Sequence, residues 1–447
     1  MQTQKDHVHA YQFLMQRMTT ALTVGDPSNM DPPTRRGRSG LLTGSFIAVL
    51  LVIGFGVYGL IVPGGSTAWK QKGAILVEEE TGTRYVFVNN MLMGTSNLAS
   101  AMLIQGKDNH VALISRKSLE GLPRGPRMGI PGAPDSVPRP QDLLPPSWLV
   151  CPTAPADGQK LGLVTNFVPD QKYEWIPDDR YAPVQSVDGE LYLVWKNKKY
   201  QVPDDKALVV FGLAATKAPR VPAVWLDLVP DGPVLSPAAI PSAGAPGQTV
   251  AGSKRRIGDL FTHDPGNGIE QRYVLLDKGL APLSATEFAL LKALPGKSSV
   301  EIGAQEILTA PFSPDQSMLT RLPDLVGKKP LDETTGSPCL RQEGSSGDVV
   351  SYPVAVRDAD RWQGGGAWIP PGRGVLAAEL PIPNGQKEPN RFLITERGRR
   401  YLVPDDNAVQ ALGLGGVQPV PMRSEVLSTI PVGPSLTRDA VIIEEGG

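Results

Sequence analysis

"LLTGSFIAVLLVIGFGVYGLIV", residues Leu41 to Val62, admits two incompatible readings. Its second half contains GFGVYG, Gly54 to Gly59, which matches the G-x-G-x-x-G fingerprint of a dinucleotide-binding turn. That fingerprint has mechanical meaning only between a strand and a helix, where its glycines let the backbone approach a pyrophosphate. Here the whole run of 22 residues is uncharged, and 14 of them are Leu, Ile, Val or Phe. As a helix rising about 1.5 Å per residue it is roughly 33 Å long, close to the hydrocarbon thickness of a bilayer. At about −0.4 kcal/mol for each large apolar residue, insertion is favoured by roughly 6 kcal/mol before Gly, Ser and Thr subtract their share. The stretch therefore predicts a transmembrane helix, with glycines that let a neighbouring helix come close.

Flanking charge orients it. Arg35, Arg36 and Arg38 precede the run, and only Lys70 and Lys72 follow closely. The positive-inside rule puts the N-terminus in the cytoplasm and everything from about Pro63 outside it. A cleaved signal peptide, with STA (Ser66 to Ala68) as a weak processing site, stays open as an alternative, although the apolar run and its lead are long for one.

The 447 residues are 41% hydrophobic and 20% charged, with a formal net charge of −1, as expected of a folded protein carrying one anchor. A near-neutral balance argues against nucleic acid as a partner. The basic triplet Lys254, Arg255, Arg256 is expected in a solvated loop. The 48 glycines and 44 prolines, about a fifth of the chain, imply short elements and many turns. Aromatic residues at 6% suggest small, numerous cores. The two cysteines, Cys151 and Cys339, lie in proline-rich surroundings of the outer portion. An even pair outside the cytoplasm reads as a disulfide, with two buried free thiols as the alternative.

Residues 5 to 24 repeat apolar side chains at three- and four-residue spacing (Val8, Tyr11, Leu14, Met15, Met18, Leu22) and predict an amphipathic helix capped by Asp6 and ended by Gly25. It needs a surface to lie against, either membrane lipid or a partner subunit.

The outer portion repeats itself. "LYLVWKNKKYQVPDDKALVVFGL" (191–213) returns as "RFLITERGRRYLVPDDNAVQALGL" (391–414), at a constant offset of 201 from the turn onward, and the match extends to VPDGPVL (229–235) and IPVGPSL (430–436). Asn197 and Gly398, residues tolerant of positive φ, predict a β-hairpin, and the following Asp-Asp pair predicts a helix cap rather than a catalytic acid pair. A second pair, 84–104 and 272–292, is related at offset 188. The implied organisation is α+β: a cytoplasmic segment (1–38), a transmembrane helix (39–62), and four hairpin-helix modules (63–134, 191–240, 260–315, 390–440) around a β-rich core built from 135–190 and 320–385.

Candidates for chemistry are few. The outer histidines, His110 and His263, have no metal-ligand companions at ligand spacing, and no Gly-x-Ser-x-Gly nucleophile elbow occurs. PGKSS (Pro295 to Ser299) ends like a P-loop, but Leu291 stands where the first glycine belongs and a helix is predicted before it. The Gly/Pro-rich segment 122–138, with Arg124 and Arg127, reads as a rigid joining loop rather than a binding loop. No catalytic, cofactor or metal residue is nominated.

Several stretches together resemble EccB, the single-span core component of actinobacterial type VII secretion systems: AYQFLMQRM, SNLASAMLI, PRGPRMGIPGAPDSVP, SWLVC and the repeats ending in IPVGPSL. The resemblance runs over nearly the whole chain. It implies a single-pass protein of the cytoplasmic membrane with an elongated extracytoplasmic body, held by a Cys151–Cys339 disulfide and self-associating through its outer modules. It also implies partners EccC, EccD, EccE and the mycosin protease. Family members are commonly labelled ATPases, so ATP enters by that label alone and enzyme activity is left open. The leading expectation is a structural subunit for protein export; the alternatives are an ATP hydrolase and a peptidoglycan-binding anchor module.

Overall fold

The structure is a computed structural model that describes residues 4–25, 34–61, 66–153, 161–214, 216–332, 336–345, 347–357, 359, 362 and 365–443. The chain divides into two compact units: Met1–Gln71 with Leu76–Thr83 and Ala112–Pro123, and the remainder.

The first unit carries helices α1 (Gln4–Val24) and α2 (Thr34–Ile61). Gly25 ends α1 at φ 72°, its N–H returning to Ala21 O at 3.1 Å, a left-handed helix stop that a side chain would strain. Residues Gly37–Gly59 of α2 are long and apolar enough to span a bilayer, and none of them is buried within the protein. All three glycines of GFGVYG therefore sit inside one helix. Among the described residues no strand precedes them, and the dinucleotide reading ends there. In the same unit the buried carboxylate of Glu78 accepts from Arg116 Nε at 2.7 Å and from the Thr81 hydroxyl at 2.7 Å.

Four four-stranded sheets share one order, third-second-first-fourth. Their strands are Ala74–Glu78, Arg84–Val88, Met91–Gly94 and His110–Ile114; Arg180–Gln185, Leu191–Trp195, Lys198–Val202 and Lys329–Pro330; Leu260–His263, Gln271–Leu276, Gly279–Pro282 and Ser299–Glu301; and Gly374–Leu380, Arg391–Thr395, Arg400–Leu402 and Val420–Arg423. Each hairpin read from the sequence is thus extended by a strand that precedes it in the chain. The turn chemistry explains a one-residue slip between the related hairpins. Lys196 and Asn197 (φ 44° and 60°) make a two-residue loop, whereas Glu396, Arg397 and Gly398 make three, with Gly398 at φ 68°. The offset of 200 before the turn becomes 201 after it.

A short helix follows the third strand in every sheet, and each is capped by a side chain in the same slot. Asn97 accepts from Ser100 N (2.9 Å), Asp204 from Ala207 N (2.9 Å), Ser284 from Glu287 N (3.1 Å) and Asp405 from Ala408 N (2.8 Å). Such a bond stabilises a helix start by about 1 kcal/mol.

The third strands also share an added edge. Leu92, Lys199, Leu280 and Arg400 accept backbone bonds from Gly125, Gly232, Ser313 and Gly433, at 2.7–3.0 Å. The four donors lie in the related tetrapeptides PRGP, PDGP, PFSP and PVGP.

A six-stranded sheet has the order Gly366–Trp368, Leu163–Asn166, Ser147–Pro152, Ser337–Ser345, Asp348–Val356, Glu174–Trp175. Its strands come from the two segments that each hold one cysteine. Alternation along Ser147–Pro152 sends Trp148 and Val150 to one face and Leu149 and Cys151 to the other. The first face joins the largest core, which includes Val184, Val194, Trp225, Val375 and Ile394. Sparse aromatics predicted only small cores. Several are present, but aliphatic residues supply this large one. Trp148 Nε1 donates to Gln342 Oε1, and Gln342 Nε2 to Ser351 Oγ, both at 2.9 Å, so the buried amide crossing the sheet is satisfied.

Lys254, Arg255 and Arg256 lie on the strand Ser253–Arg256, paired with Pro246–Val250, and not in a loop. Alternation explains the difference: Lys254 and Arg256 stay exposed while Arg255 turns over the ring of Phe261, 5.7 Å from its centroid.

Candidate functional site

Cys151 and Cys339 are joined, 188 residues apart in sequence, with Cα atoms 4.4 Å apart. The antiparallel register that pairs Leu340 with Val150 brings them opposite each other on the two central strands. Both are fully buried, alongside Val164, Val354 and Trp362. Closing so long a loop stabilises by roughly 5 kcal/mol at most on the chain-entropy model.

Three of the four paired aspartates are occupied. Asp204 and Asp405 cap helices, and Asp406 pairs with Arg391 at 2.5 Å. A cleft of about 490 Å³ beside Asp405 is lined by Lys107, Asn407, Gln410, Arg438 and Asp439. No nucleophile paired with a base faces it among these lining residues.

The remaining candidates serve structure where they lie. Lys297 of PGKSS donates to Gly258 O at 2.7 Å, and the segment follows the helix Ala285–Lys292, not a strand. His263 Nδ1 bonds Ile302 O, just past the strand Ser299–Glu301, at 2.9 Å, while His110 starts an edge strand. Arg124 lies over the ring of Tyr85, 5.7 Å from its centroid. Asp135 in the same Gly/Pro-rich segment pairs with Arg397 at 2.5 Å. No group of His, Cys, Asp and Glu suited to a metal is found among the described residues.

Shifted titrations follow burial and local bonds. Burial pushes the Tyr181 hydroxyl up to about 12 as it donates to Phe211 O at 2.6 Å. Burial, then the neighbouring Glu190, does the same to Tyr192. Asp315 is held below its usual range by bonds from Ser317. Tyr192 donates to Glu190 Oε2 at 2.7 Å, and Tyr181 and Asp315 bond to backbone groups.

Comparison with known proteins settles the family. The family described as type VII secretion system ESX-1, transport TM domain B, matches residues 1–447. The chain belongs to the EccB family of type VII secretion. This EccB-family chain is similar to the "ESX-3 secretion system ATPase EccB3" of Mycolicibacterium smegmatis, 27% identical over 99% of this chain and 90% of the relative. It is also similar to the "ESX-1 secretion system ATPase EccB1" of Mycobacterium tuberculosis, 26% identical over 99% and 95%. Its fold resembles a chain of an intact ESX-5 inner membrane complex, with TM-score 0.66, 23% identity, and 100% and 96% of the two chains covered. It resembles the EccB3 dimer of the ESX-3 core complex with TM-score 0.61 and 22% identity, covering 83% and 100%.

Two features of this EccB-family chain were beyond sequence reading. The pair between buried Glu287 and part-exposed Arg321, 2.6 Å, lies on residues 34 apart that carry no motif. The aromatic cleft at Trp175 draws Trp195 and Tyr352 from distant segments.

Proposed function

We propose that this chain is a structural subunit of a type VII secretion membrane complex, anchoring and bracing the part of the machine outside the cytoplasm. The observation that carries this is a family match over the whole chain, 1–447, joined to a body in which Asp204 and Asp405 cap helices and Glu287 pairs with Arg321. On this reading α1 lies in the cytoplasm and α2 spans the inner membrane. The four sheets with their capped helices are copies of one module arranged around the central sheet. The partners are EccC, EccD, EccE and the mycosin protease, and further copies of this chain meet through the outer modules. Solved relatives, one from an inner membrane complex and one a dimer, support assembly as the role.

The test is the native-gel mass of the protein extracted from its own cells in mild detergent, with co-migrating subunits identified. A very large complex is expected. A lone monomer or dimer overturns the reading. The relatives' printed names favour a second reading, ATP hydrolysis. Hydrolysis by the purified full-length chain that survives removal of every co-migrating subunit would establish it.

A further inference from the structure

Seven tryptophans occur in the chain, and large aromatics in water mark surfaces that meet something. Trp148, Trp225 and Trp362 are buried, whereas Trp175 is 54% exposed on an edge strand of the central sheet. Its indole is held, not loose. Tyr173 and Tyr352 stand edge-on to it, with centroids at 5.5 and 5.8 Å and planes at 89° and 84°, and Arg341 lies over both Tyr173 and Trp175.

Trp175 opens onto a cleft of about 270 Å³ whose lining includes Trp195, Tyr352, Asp178, Lys196 and Asn197. Trp195 is fixed by its indole N–H, which donates to Asp178 O at 3.0 Å. Lys196 and Asn197 form the positive-φ hairpin turn, so the carboxamide is carried on a rigid corner, and Lys196 Nζ sits 2.9 Å from Asp178 Oδ2.

We propose that this cleft binds a saccharide, one pyranose ring packing its C–H face on the Trp175 indole. Sugar rings present apolar C–H groups on their faces and hydroxyls around their rims. The cleft answers with a flat aromatic surface ringed by a carboxylate, an ammonium and a carboxamide, which between them accept and donate. Neither tyrosine lies parallel to the indole and Lys196 covers the Trp195 ring at 4.7 Å, so the cleft offers one indole, which suits one six-membered ring better than the parallel ridges that grip a polyproline helix. Because the rings and the turn are already fixed, little ordering cost is left to binding.

The test is isothermal titration of the full-length protein, in a detergent without a sugar head group, with tetra-N-acetylchitotetraose and separately with maltotetraose. Saturable binding of at least one is expected, with Trp175→Ala weakening it by at least about tenfold. Trp175→Phe is expected to retain most of the affinity, and Trp368→Ala, on the opposite edge strand, all of it. Should Trp175→Ala melt abnormally, Asn197→Gly, which keeps the positive-φ turn and removes the carboxamide, replaces it and is expected to weaken binding as well. No binding of either sugar, or unchanged affinity in a normally melting Trp175→Ala, overturns the proposal.

Discussion

The ring of Tyr200 fills the space in front of Gly232, where a Cβ would stand 2.3 Å from Cε1. Tyr401 and Gly433 repeat the relationship at 2.3 Å, and Met93 approaches Gly125 at 3.2 Å. In the third sheet the corresponding pair is Ala281 and Ser313, and there a Cβ is present. The glycine is required where the facing side chain is large and dispensable where it is small. Gly232→Ala is therefore expected to destabilise by about 1–3 kcal/mol through overpacking. In a Tyr200→Ala background the same change should cost little, and denaturant unfolding of the four proteins gives that coupling directly. Additive effects would mean the ring does not set the requirement.

Glu287 is fully buried, accepts from Ala238 N at 2.6 Å and pairs with Arg321. Removing one member of such a pair leaves an uncompensated charge. Glu287→Ala should lower stability by about 3 kcal/mol, the low end for buried pairs because Arg321 reaches solvent. Thermal melts compared with Glu301→Ala, an exposed carboxylate, check this; equal melts would refute it.

Cys151 and Cys339 close a loop of 188 residues. Replacing both by Ala should lower the melting temperature, with a ceiling of roughly 5 kcal/mol in stability. A melt unchanged by the double replacement, with the bond verified on a non-reducing gel, would show that packing alone holds the central strands.

The Tyr181 hydroxyl, raised to about 12 by burial, predicts a stability loss in alkali. Its folded pKa lies above the unfolded value of about 10, so its contribution is fully present below pH 10 and falls as pH rises toward 12. Tyr181→Phe should lose stability at neutral pH, since the bond to Phe211 O goes with the hydroxyl, and should show a shallower decline between pH 10 and 12. Parallel curves for the two proteins over that range would contradict this.

The sequence alone determined whatever rests on local physics. An uncharged run long enough to cross a bilayer, Asn197 and Gly398 at hairpin turns, and Asp204 and Asp405 at helix starts all draw their meaning from neighbours a few residues away. The repeat was legible because it copies those local signals. Only the tertiary structure decided which strand precedes each hairpin, which carbonyl Lys297 meets, why Gly232 must be glycine, and that Trp175 meets Trp195 and Tyr352 in one cleft. Those are contacts between segments tens to hundreds of residues apart, and their register is set by the packing of whole sheets. No window of sequence encodes them.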